Sequence, residues 1–236
     1  MPVTLSSTMK QISLISYPRG GQPNLWGVDD SESIYRYTGG SWTKIPGGLS
    51  QVSISKSGVV WGVNSWGGVY RYDTTSPWSW TRMPGTLAQV EVADNNGVWG
   101  LDAAGKVFRY DATANSWSPI AGTMKQLSAC YNPRGGNWYL WGIDTTGHVC
   151  QYDFNNNWYQ CPNNNTSGTM VEVNTTDAMS IYALDSAGQM FAYQGSPNWW
   201  AQCKFPPAKY MSKGRDGSTA LIDTSGNTIV YDNYGN

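Results

Sequence analysis

Polar and aromatic side chains suited to carbohydrate recognition recur at fixed spacing in this chain. Trp61-Gly62-Val63-Asn64 precedes Val69-Tyr70-Arg71-Tyr72, and Trp99-Gly100-Leu101-Asp102 precedes Val107-Phe108-Arg109-Tyr110. Arg and Asp form strong hydrogen bonds with pairs of hydroxyl groups, and Trp or Tyr packs on the apolar C–H face of a pyranose ring. Together these residue types predict a sugar-binding site that is repeated along the chain.

Each repeat is typical of two β-strands joined by a tight turn, and the pairing of these strands determines which side chains share a face. If Asn64 pairs with Val69, then Gly62 lies opposite Arg71 and Trp61 lies opposite Tyr72. The predicted polar wall then contains Asp29, Asn64, Asp102, Asp144, Asp185, Asp223, Arg36, Arg71, Arg109 and Gln151. The predicted apolar wall contains Trp26, Trp61, Trp99, Trp141, Tyr37, Tyr72, Tyr110 and Tyr152. Because neighbouring repeats pack face to face, we expect the two walls to enclose a cleft.

Residue size covaries across this predicted pairing. Glycine lies opposite arginine in the first three repeats, as for Gly62 and Arg71, whereas Leu221 lies opposite Val230 in the sixth. We therefore expect glycine to make room for the long polar side chain. In the alternative interpretation, Arg–Asp ion pairs only join neighbouring repeats and the Trp side chains fill the core.

Catalytic and metal chemistry find little support in these residues. His148 is the single histidine, and other residues occupy its turn position in the sister repeats. A Ser-His-Asp triad or a histidine metal site would depend on that one residue. The aspartates occur once per repeat, whereas glycoside hydrolysis needs one asymmetric pair of carboxylates. The sequence predicts a non-catalytic protein without a metal or cofactor.

Composition indicates an all-β protein and disfavours several partners. The chain has 236 residues, with 27 Gly, 13 Trp, 15 Tyr and only 13% charged residues. A formal net charge of −1 argues against a nucleic-acid surface, which needs clustered Lys and Arg. No stretch approaches the ~20 apolar residues of a membrane span, and the N-terminus lacks an apolar run, so we expect a cytoplasmic protein. The four cysteines, Cys130, Cys150, Cys161 and Cys203, lack Cys-x-x-Cys spacing and are predicted to be reduced.

Four strands recur in each repeat, with a period of about 35 to 42 residues. A short strand such as Gln51-Val52-Ser53-Ile54 precedes the hairpin, and an aromatic strand such as Trp80-Thr81-Arg82-Met83-Pro84 follows it. This organisation predicts one six-bladed β-propeller over residues 1–236, with blades at about 9–46, 49–84, 87–122, 124–162, 170–206 and 208–236. Residues 1–7 are expected to supply the last strand of the sixth blade and to close the ring.

Repeats one and four share an additional loop, Tyr17-Pro18-Arg19-Gly20-Gly21 and Tyr131-Asn132-Pro133-Arg134-Gly135-Gly136. In a six-membered ring these repeats lie opposite one another, which indicates duplication of a three-blade half. The loops either form a surface for a ligand or a second subunit, or are inherited turns, since loops tolerate drift.

The repeated Trp-Gly-Val-Asp, Tyr-Arg-Tyr and closing Trp-x-x-x-Pro motifs resemble the tectonin (TECPR) repeat family, and the chain is most similar to the fungal tectonin lectins. The resemblance covers essentially the whole chain. It implies a six-bladed propeller that binds O-methylated sugars, of methylated fucose or mannose type, on bacteria or nematodes in cytoplasmic innate defence. Tyr182 and Ala220 stand where Trp is expected, which weakens the case for equal affinity at all clefts.

We therefore predict a multivalent lectin without catalytic activity, in which weak single sites act together through avidity. Methylated glycans on foreign cells are the predicted partners. Nucleic-acid binding and membrane insertion are not expected, and a homo-oligomer is compatible with the sequence. The alternatives are a propeller scaffold that binds protein and a glycosidase or sialidase on the same fold, for which the chain lacks a Ser-x-Asp-x-Gly-x-Thr-Trp box.

Overall fold

All regular secondary structure in the described part of the chain is β-strand. The computed structural model describes residues 2–17, 21–73, 79–94, 97–132, 134–162, 168–177, 180–195, 200–214 and 216–232. The shared loop of repeats one and four lies partly outside these residues, at positions 18–20 and 133. Within the same residues, no helix is long and apolar enough to span a membrane.

The strands form antiparallel units in which consecutive strands pair. The first strand is β1 (Val3–Thr8). Unit 1 contains β2 (Gln11–Ser16), β3 (Asn24–Val28), β4 (Ile34–Thr38) and β5 (Ser41–Ile45). Unit 2 contains β6 (Gln51–Ile54), β7 (Val60–Val63), β8 (Gly68–Asp73) and β9 (Ser79–Thr86). Unit 3 begins with β10 (Gln89–Val92), β11 (Val98–Leu101) and β12 (Lys106–Asp111).

One long strand, β13 (Ser116–Asn132), belongs to two units. Residues 116–123 pair with β12 as the last strand of unit 3, and residues 124–132 pair with the next strand as the first of unit 4. Unit 4 continues with β14 (Asn137–Asp144), β15 (Val149–Tyr152) and β16 (Trp158–Gln160). Unit 5 contains β17 (Met170–Asp177), β18 (Ser180–Asp185), β19 (Met190–Tyr193) and β20 (Trp200–Gln202). Unit 6 contains β21 (Ala208–Lys213), β22 (Thr219–Asp223) and β23 (Asn227–Tyr231).

The first strand of the chain pairs with the last. Val3 lies opposite Val230, and Leu5 lies opposite Thr228, so that unit 6 has the strand order β1-β23-β22-β21. Leu5 is buried in a cluster with Ala220 and Val230. Strand β1 thus covers the edge of β23 that would otherwise present unpaired backbone groups.

The first strands of the units contact one another in sequence, in the order β2, β6, β10, β13, β17 and β21, and β21 contacts β2. Side-chain amides bridge these contacts. Gln11 Nε2 donates to the carbonyl oxygen of Val52 (2.9 Å), and Gln11 Oε1 accepts from the Val52 amide (3.0 Å). The same paired bonds join Gln51 to Val90, Gln89 to Leu127 and Gln126 to Val173. The leading polar residue of each of these strands therefore satisfies the backbone of the next unit.

Tryptophans of the last strands join neighbouring units on the outside. The indole N–H of Trp80 donates to the carbonyl oxygen of Pro46 in unit 1 (2.9 Å), and Trp117 donates to Pro84 in unit 2 (2.8 Å). Trp158 and Trp200 make the corresponding bonds to Ala121 and Pro162. A Cβ atom on Gly85 would lie 2.8 Å from the Trp117 ring, so the glycine after the proline provides room for the indole. The aromatic strand therefore packs against the preceding unit as well as its own.

The hairpin register predicted from the sequence is wrong by one residue. Trp61 pairs with Arg71 and Gly62 with Tyr70, whereas the prediction placed Gly62 opposite Arg71. The physical reason lies in the turn, where Gly67 has φ +78° and the Asn64 amide donates to the carbonyl oxygen of Gly68 (3.0 Å). The turn has three residues and ends in a left-handed glycine, one residue fewer than predicted, so that Asn64 lies opposite Gly68 and not opposite Val69.

The glycines of the hairpin therefore do not make room for arginine. A Cβ atom on Gly62 would lie 2.4 Å from Leu49 Cδ1, and one on Gly100 would lie 2.4 Å from Leu87 Cδ1. At Gly27 and Gly142 the corresponding neighbours are Met9 and Met124, each at 3.1 Å. Ala183 packs in one cluster with Met170, and Leu221 packs with Ala208. The size covariation is real, but the partner is the apolar residue two positions before the leading Gln or its equivalent in each unit, such as Leu49 before Gln51.

This packing predicts unequal effects for two matched substitutions. We expect Gly100→Ala to lower the free energy of unfolding by about 2 kcal/mol, because Leu87 must move within a close-packed core. Gly142→Ala should cost less than half as much, since Met124 is flexible and the fifth unit already combines Met170 with Ala183. Denaturant melts of the two variants measure the difference. Equal losses, or rescue of Gly100→Ala by Arg109→Ala but not by Leu87→Ala, would contradict the packing argument.

Candidate ligand clefts between neighbouring units

In units 1 to 4, the tryptophan lies on the same wall of its cleft as the arginine or glutamine with which it pairs. The cross-strand pairs are Trp26 with Arg36, Trp61 with Arg71, Trp99 with Arg109 and Trp141 with Gln151. Directly paired residues on antiparallel strands share a face, so the predicted separation into an Arg wall and a Trp wall is wrong. The tyrosine one residue after each arginine points to the opposite face and forms the facing wall of the preceding cleft.

The cleft between units 2 and 3 contains a cavity of about 240 Å³. Trp61 and Arg71 line it from unit 2, and Tyr110, Val98 and Ala112 line it from unit 3. The Trp61 ring meets Tyr110 edge-on, with 5.0 Å between ring centroids. Because Trp61 is only 2% exposed, it forms the floor of the cavity and leaves Tyr110 and Arg71 nearer its mouth.

The cleft between units 3 and 4 contains a larger cavity of about 480 Å³. The Arg109 guanidinium lies 4.8 Å from the Trp138 ring centroid and 5.9 Å from that of Trp99, within reach of cation–π attraction. Phe154 is 39% exposed at the same cavity, and its ring centroid lies 6.3 Å from that of Trp99. The lining therefore combines aromatic faces with the polar groups of Arg109 and Gln151.

The arginines carry no ion pair within the described residues. Arg71 and Arg109 are exposed, and neither makes a hydrogen bond to another described residue. Arg36 is half-buried, and its Nε is a buried donor without an acceptor in the described part of the chain. This arrangement does not support the alternative in which Arg–Asp ion pairs join the repeats. It leaves guanidinium N–H groups available to a ligand.

The buried aromatic groups in these clefts remain neutral hydrogen-bonding partners. Burial raises the pKa of the Tyr72 hydroxyl, and the Arg36 guanidinium opposes that rise. Burial also raises the pKa of Tyr152 in the cleft between units 3 and 4. The indole N–H groups of Trp99 and Trp141 are buried without an acceptor among the described residues. An unpaired buried donor is costly, so these groups gain from a ligand or water that accepts from them.

The predicted aspartates lie at the other end of the hairpins. Asp102 Oδ1 accepts from the backbone amides of Ala104 and Lys106, each at 2.9 Å, and so holds the turn. Asp29, Asn64, Asp144, Asp185 and Asp223 make the same pair of bonds. The side chain of Asn227, followed by backbone amides, also holds the pKa of Asp223 below its usual range. Three residues of extended strand, roughly 10 Å, separate each such residue from the tryptophan of its hairpin. The structure does not bring this series together with the arginines.

The remaining clefts differ in their lining. Trp26 meets Tyr72 with 5.2 Å between centroids, and Trp141 meets Tyr193 at 6.3 Å. Between units 5 and 6, the Lys213 ammonium lies 4.1 Å from the Tyr182 ring centroid, and Ala192 stands where other units have arginine. Tyr37 packs with Ala220 and Val230 between units 6 and 1, and Ala220 stands where units 1 to 4 have tryptophan. The polar and aromatic pattern therefore weakens around the molecule.

Metal and nucleophilic chemistry have no assembled site in the described residues. No group of three His, Cys, Asp or Glu side chains there is placed to hold a metal ion. His148 Nδ1 lies 2.7 Å from Thr146 Oγ1 and 3.7 Å from Asp144 Oδ2, within a turn. The four cysteines are free thiols. Burial raises the pKa of Cys150 to about 12 and that of Cys161 to about 11, which disfavours the reactive thiolate.

Three aromatic residues of the larger cavity were not predicted from the sequence. Trp138 and Tyr139 follow the additional loop of the fourth repeat, and Phe154 occupies the turn between β15 and β16 with φ +62°. The sequence carried one signal, which was that the loop at residues 131–136 offers a surface for a ligand. Phe154 has no aromatic counterpart in the other repeats and left no repeating signal.

Antiparallel four-stranded units, packed in sequence around their first strands and separated by lined clefts, define a β-propeller. The chain belongs to the Tectonin domain family, whose family model matches residues 11–223. This match confirms the resemblance found in the repeated motifs.

Individual relatives cover less of the chain than the family model does, or match it at low identity. Tectonin-1 of Physarum polycephalum is 38% identical over 56 residues, which are 24% of this chain and about a quarter, 26%, of that protein. The structure of the SapL1 lectin in complex with alpha methyl fucoside is similar with a TM-score of 0.61 at 11% identity, over 91% of this chain and 89% of the lectin chain. A streptogramin B lyase structure gives a TM-score of 0.63 at 11% identity, over 98% and 96% of the two chains. The low identity between this chain and the two solved structures shows a shared fold alone.

Proposed function

We propose that this protein is a multivalent carbohydrate-binding propeller whose ligands enter the clefts between neighbouring units. The observation that carries the proposal is an arginine without a protein partner among the described residues at the mouth of an aromatic cavity, as for Arg71 above Trp61. A guanidinium group donates to adjacent hydroxyls in a fixed geometry, and the aromatic lining accepts the C–H groups of the sugar ring. The lectin neighbour and the Tectonin family support this proposal.

The units are proposed to form a closed six-bladed ring. Contact between β21 and β2, and pairing of β1 with β23, support closure between the two ends of the chain. A ring repeats the cleft at each interface between blades. Repetition suits weak sites, because several simultaneous contacts with one glycan surface multiply the overall affinity.

The preferred ligand is proposed to be an O-methylated sugar. In the cleft between units 2 and 3, the apolar side chains of Val98 and Ala112 lie in the same cavity as Arg71. This combination provides an apolar contact for a methyl ether beside a donor for the neighbouring hydroxyl. Methylated fucose or mannose on bacterial or nematode surfaces is the corresponding natural ligand, in cytoplasmic innate defence. The proposed activity is binding without catalysis.

Calorimetric titration with 3-O-methylmannose and with unmethylated mannose tests the proposal. We expect the methylated sugar to bind tighter and with a stoichiometry above one per chain. Arg71→Ala should remove one binding event while the melting temperature stays within a few degrees, because the guanidinium has no bond to lose among the described residues.

Arg82→Ala is the matched control for that variant. Arg82 lies in the same unit, but it donates to the carbonyl oxygens of Val69 and Met83 and lines neither of the two cavities. Its removal should leave the stoichiometry unchanged. Unfolding of the Arg71→Ala variant would instead indicate that this residue stabilises the fold.

The second candidate is a protein-binding scaffold, and one exposed side chain favours it. Trp66 is 88% exposed in the turn between β7 and β8, where the other units carry Ser, Ala or Thr. Exposed tryptophan is enriched at binding surfaces. No heat from either sugar, with the protein folded by circular dichroism, would favour this candidate, including a homo-oligomer joined through that face.

A further inference from the structure

The cleft between units 3 and 4 is built differently from its neighbour between units 2 and 3. In unit 3, which forms the corresponding wall of the cleft between units 2 and 3, the hairpin of β10 and β11 ends with the pair Val92 and Val98. In unit 4, the equivalent hairpin of β13 and β14 continues for three further pairs, ending with Asn132 opposite Asn137. At about 3.3 Å per residue, the wall of the second cleft extends roughly 10 Å beyond that of the first.

Trp138 fixes this extended wall to unit 3. Its indole N–H donates to the carbonyl oxygen of Asp94 (3.1 Å), and its ring centroid lies 6.0 Å from that of Trp99. A Cβ atom on Gly97 would lie 2.5 Å from Trp138 Nε1, so the neighbouring turn leaves room for the indole. The extension is therefore packed against both sides of the cleft and enlarges it to about 480 Å³, against about 240 Å³ in the cleft between units 2 and 3.

Phe154 provides an exposed apolar surface at the same cavity. It has φ +62°, a conformation that bulky residues rarely adopt, and Asp153 holds the turn by accepting from the Asn155 and Asn157 amides. Its ring packs edge-on against Tyr152 and Trp99, yet 39% of the residue stays exposed at the cavity. Strained residues of this kind cluster at ligand sites.

We propose that the cleft between units 3 and 4 binds two linked sugar units, whereas the cleft between units 2 and 3 binds one. This inference rests on the proposed carbohydrate function. Sites for ligands of drug size, which is also the size of a disaccharide, measure roughly 300–1,000 Å³, and only the larger of these two cavities falls in that range. One sugar lies against Arg109 and Gln151, and the second lies between Asn137 and the exposed face of Phe154.

Two double variants, each retaining one cleft arginine, compare the two clefts by calorimetric titration. Arg36→Ala/Arg71→Ala retains Arg109, and Arg36→Ala/Arg109→Ala retains Arg71. The probes are 3-O-methylmannose and a mannobiose that carries the same methyl group on its non-reducing residue. With Arg109 retained, we expect the disaccharide to bind at least tenfold tighter than the monosaccharide. With Arg71 retained, the disaccharide should bind less than twofold tighter than the monosaccharide.

Phe154→Gly, added to the variant that retains Arg109, tests the second subsite. Glycine suits a φ of +62°, so the melting temperature should be unchanged or higher, while the disaccharide advantage falls below threefold. Glu32→Gly is the matched control, because Glu32 has the same φ of 62° in a turn that lines neither cavity. This control should leave the disaccharide at least tenfold tighter than the monosaccharide.

The outcomes separate the two proposals. The two-sugar site would be overturned if the two double variants showed the same ratio of disaccharide to monosaccharide affinity. It would also be overturned if Phe154→Gly kept the whole preference for the disaccharide. Either result would leave the lectin proposal intact. Absence of binding by either saccharide to the unmodified protein would overturn the proposed function and the two-sugar site together.

Discussion

Deletion of residues 1–7 is expected to destabilise the whole protein rather than only its first strand. The deletion removes the pairing of β1 with β23 and the burial of Leu5, which is 3% exposed. Loss of one buried Leu alone costs about 2–5 kcal/mol, and the open edge of β23 adds unpaired backbone groups. We expect a loss of at least about 4 kcal/mol in the free energy of unfolding, a large fraction of the ~5–15 kcal/mol typical of a folded protein.

Denaturant unfolding followed by circular dichroism and tryptophan fluorescence measures this loss. Thr4→Ala is the control, because Thr4 is exposed and its backbone pairing with Ile229 survives the substitution. A synthetic peptide of residues 1–8, added to the truncated chain, should restore part of the lost stability. An unfolding midpoint equal to that of the full chain would show that β1 is dispensable and would remove the main support for a closed ring.

Glu172→Gln is expected to stabilise the protein at neutral and alkaline pH. Glu172 is 5% exposed and occupies the position held by glutamine in the first four units. Burial is the largest cause of its pKa lying well above the usual range, and the nearby Glu91 carboxylate raises that pKa further. Its oxygens accept from the Met211 amide (3.0 Å) and the Asn174 side chain (3.0 Å), and no cation is among these partners. Within the described part of the chain, the residue is therefore a buried acid without a compensating charge.

The pH dependence follows from linkage. Because the folded state holds the Glu172 proton more tightly than the unfolded state, stability is complete below the usual glutamate range and falls as the pH rises towards the raised pKa. A glutamine at this position would accept the same Met211 bond through its amide oxygen and would remain neutral at every pH. We expect the variant to gain about 3 kcal/mol at about pH 9, the scale of an uncompensated buried charge, and little below about pH 4.

Urea unfolding of both proteins between about pH 4 and pH 9 tests this expectation, since that range begins near the usual glutamate pKa and extends well above it. Glu91→Gln is an informative second variant, because it removes the nearby Glu91 carboxylate. It should reduce in part the change of the free energy of unfolding with pH. Glu32→Gln, at a partly exposed turn of unit 1, should leave the slope unchanged. Parallel stability curves for Glu172→Gln and the unmodified protein would contradict a raised pKa at Glu172.

Both predictions bear on function through the shape of the clefts. Each cleft has its two walls on different units, so binding depends on contacts between units rather than within them. The Gln11 to Val52 bridge and the Trp80 to Pro46 bond hold one pair of units from the inside and the outside. The substitutions proposed in the clefts, by contrast, change side chains that make no hydrogen bonds of this kind with the described residues.

Local sequence was sufficient to predict the repeating strands. Alternation of apolar and polar residues marked Gln51-Val52-Ser53-Ile54 as a strand, and it is β6. Asp or Asn followed by glycine marked the hairpin turns, which the Asp102 bonds to Ala104 and Lys106 illustrate. Repetition of these signals was also enough to predict the Tectonin family, and the family match confirms it. Such features depend on neighbours within a few residues, where spacing and chemistry are read directly.

The register and the partners of the site residues were decided by tertiary structure. Asn64 and Arg71 are close in sequence, yet the left-handed Gly67 places Arg71 beside Trp61 and leaves Asn64 at the turn. A one-residue slip in register exchanges the faces of every side chain in the strand, and sequence patterns alone do not exclude it.

Sequence patterns alone also did not determine the contacts between units. Gly62 faces Leu49, Trp138 covers Trp99, and Phe154 reaches a cavity whose other wall begins more than forty residues away in the chain. The sequence by itself determined the strands, the turns and the family. Only the packing of one unit on the next decided which arginines face a ligand cleft and which clefts are open, because those properties belong to pairs of units and not to a single repeat.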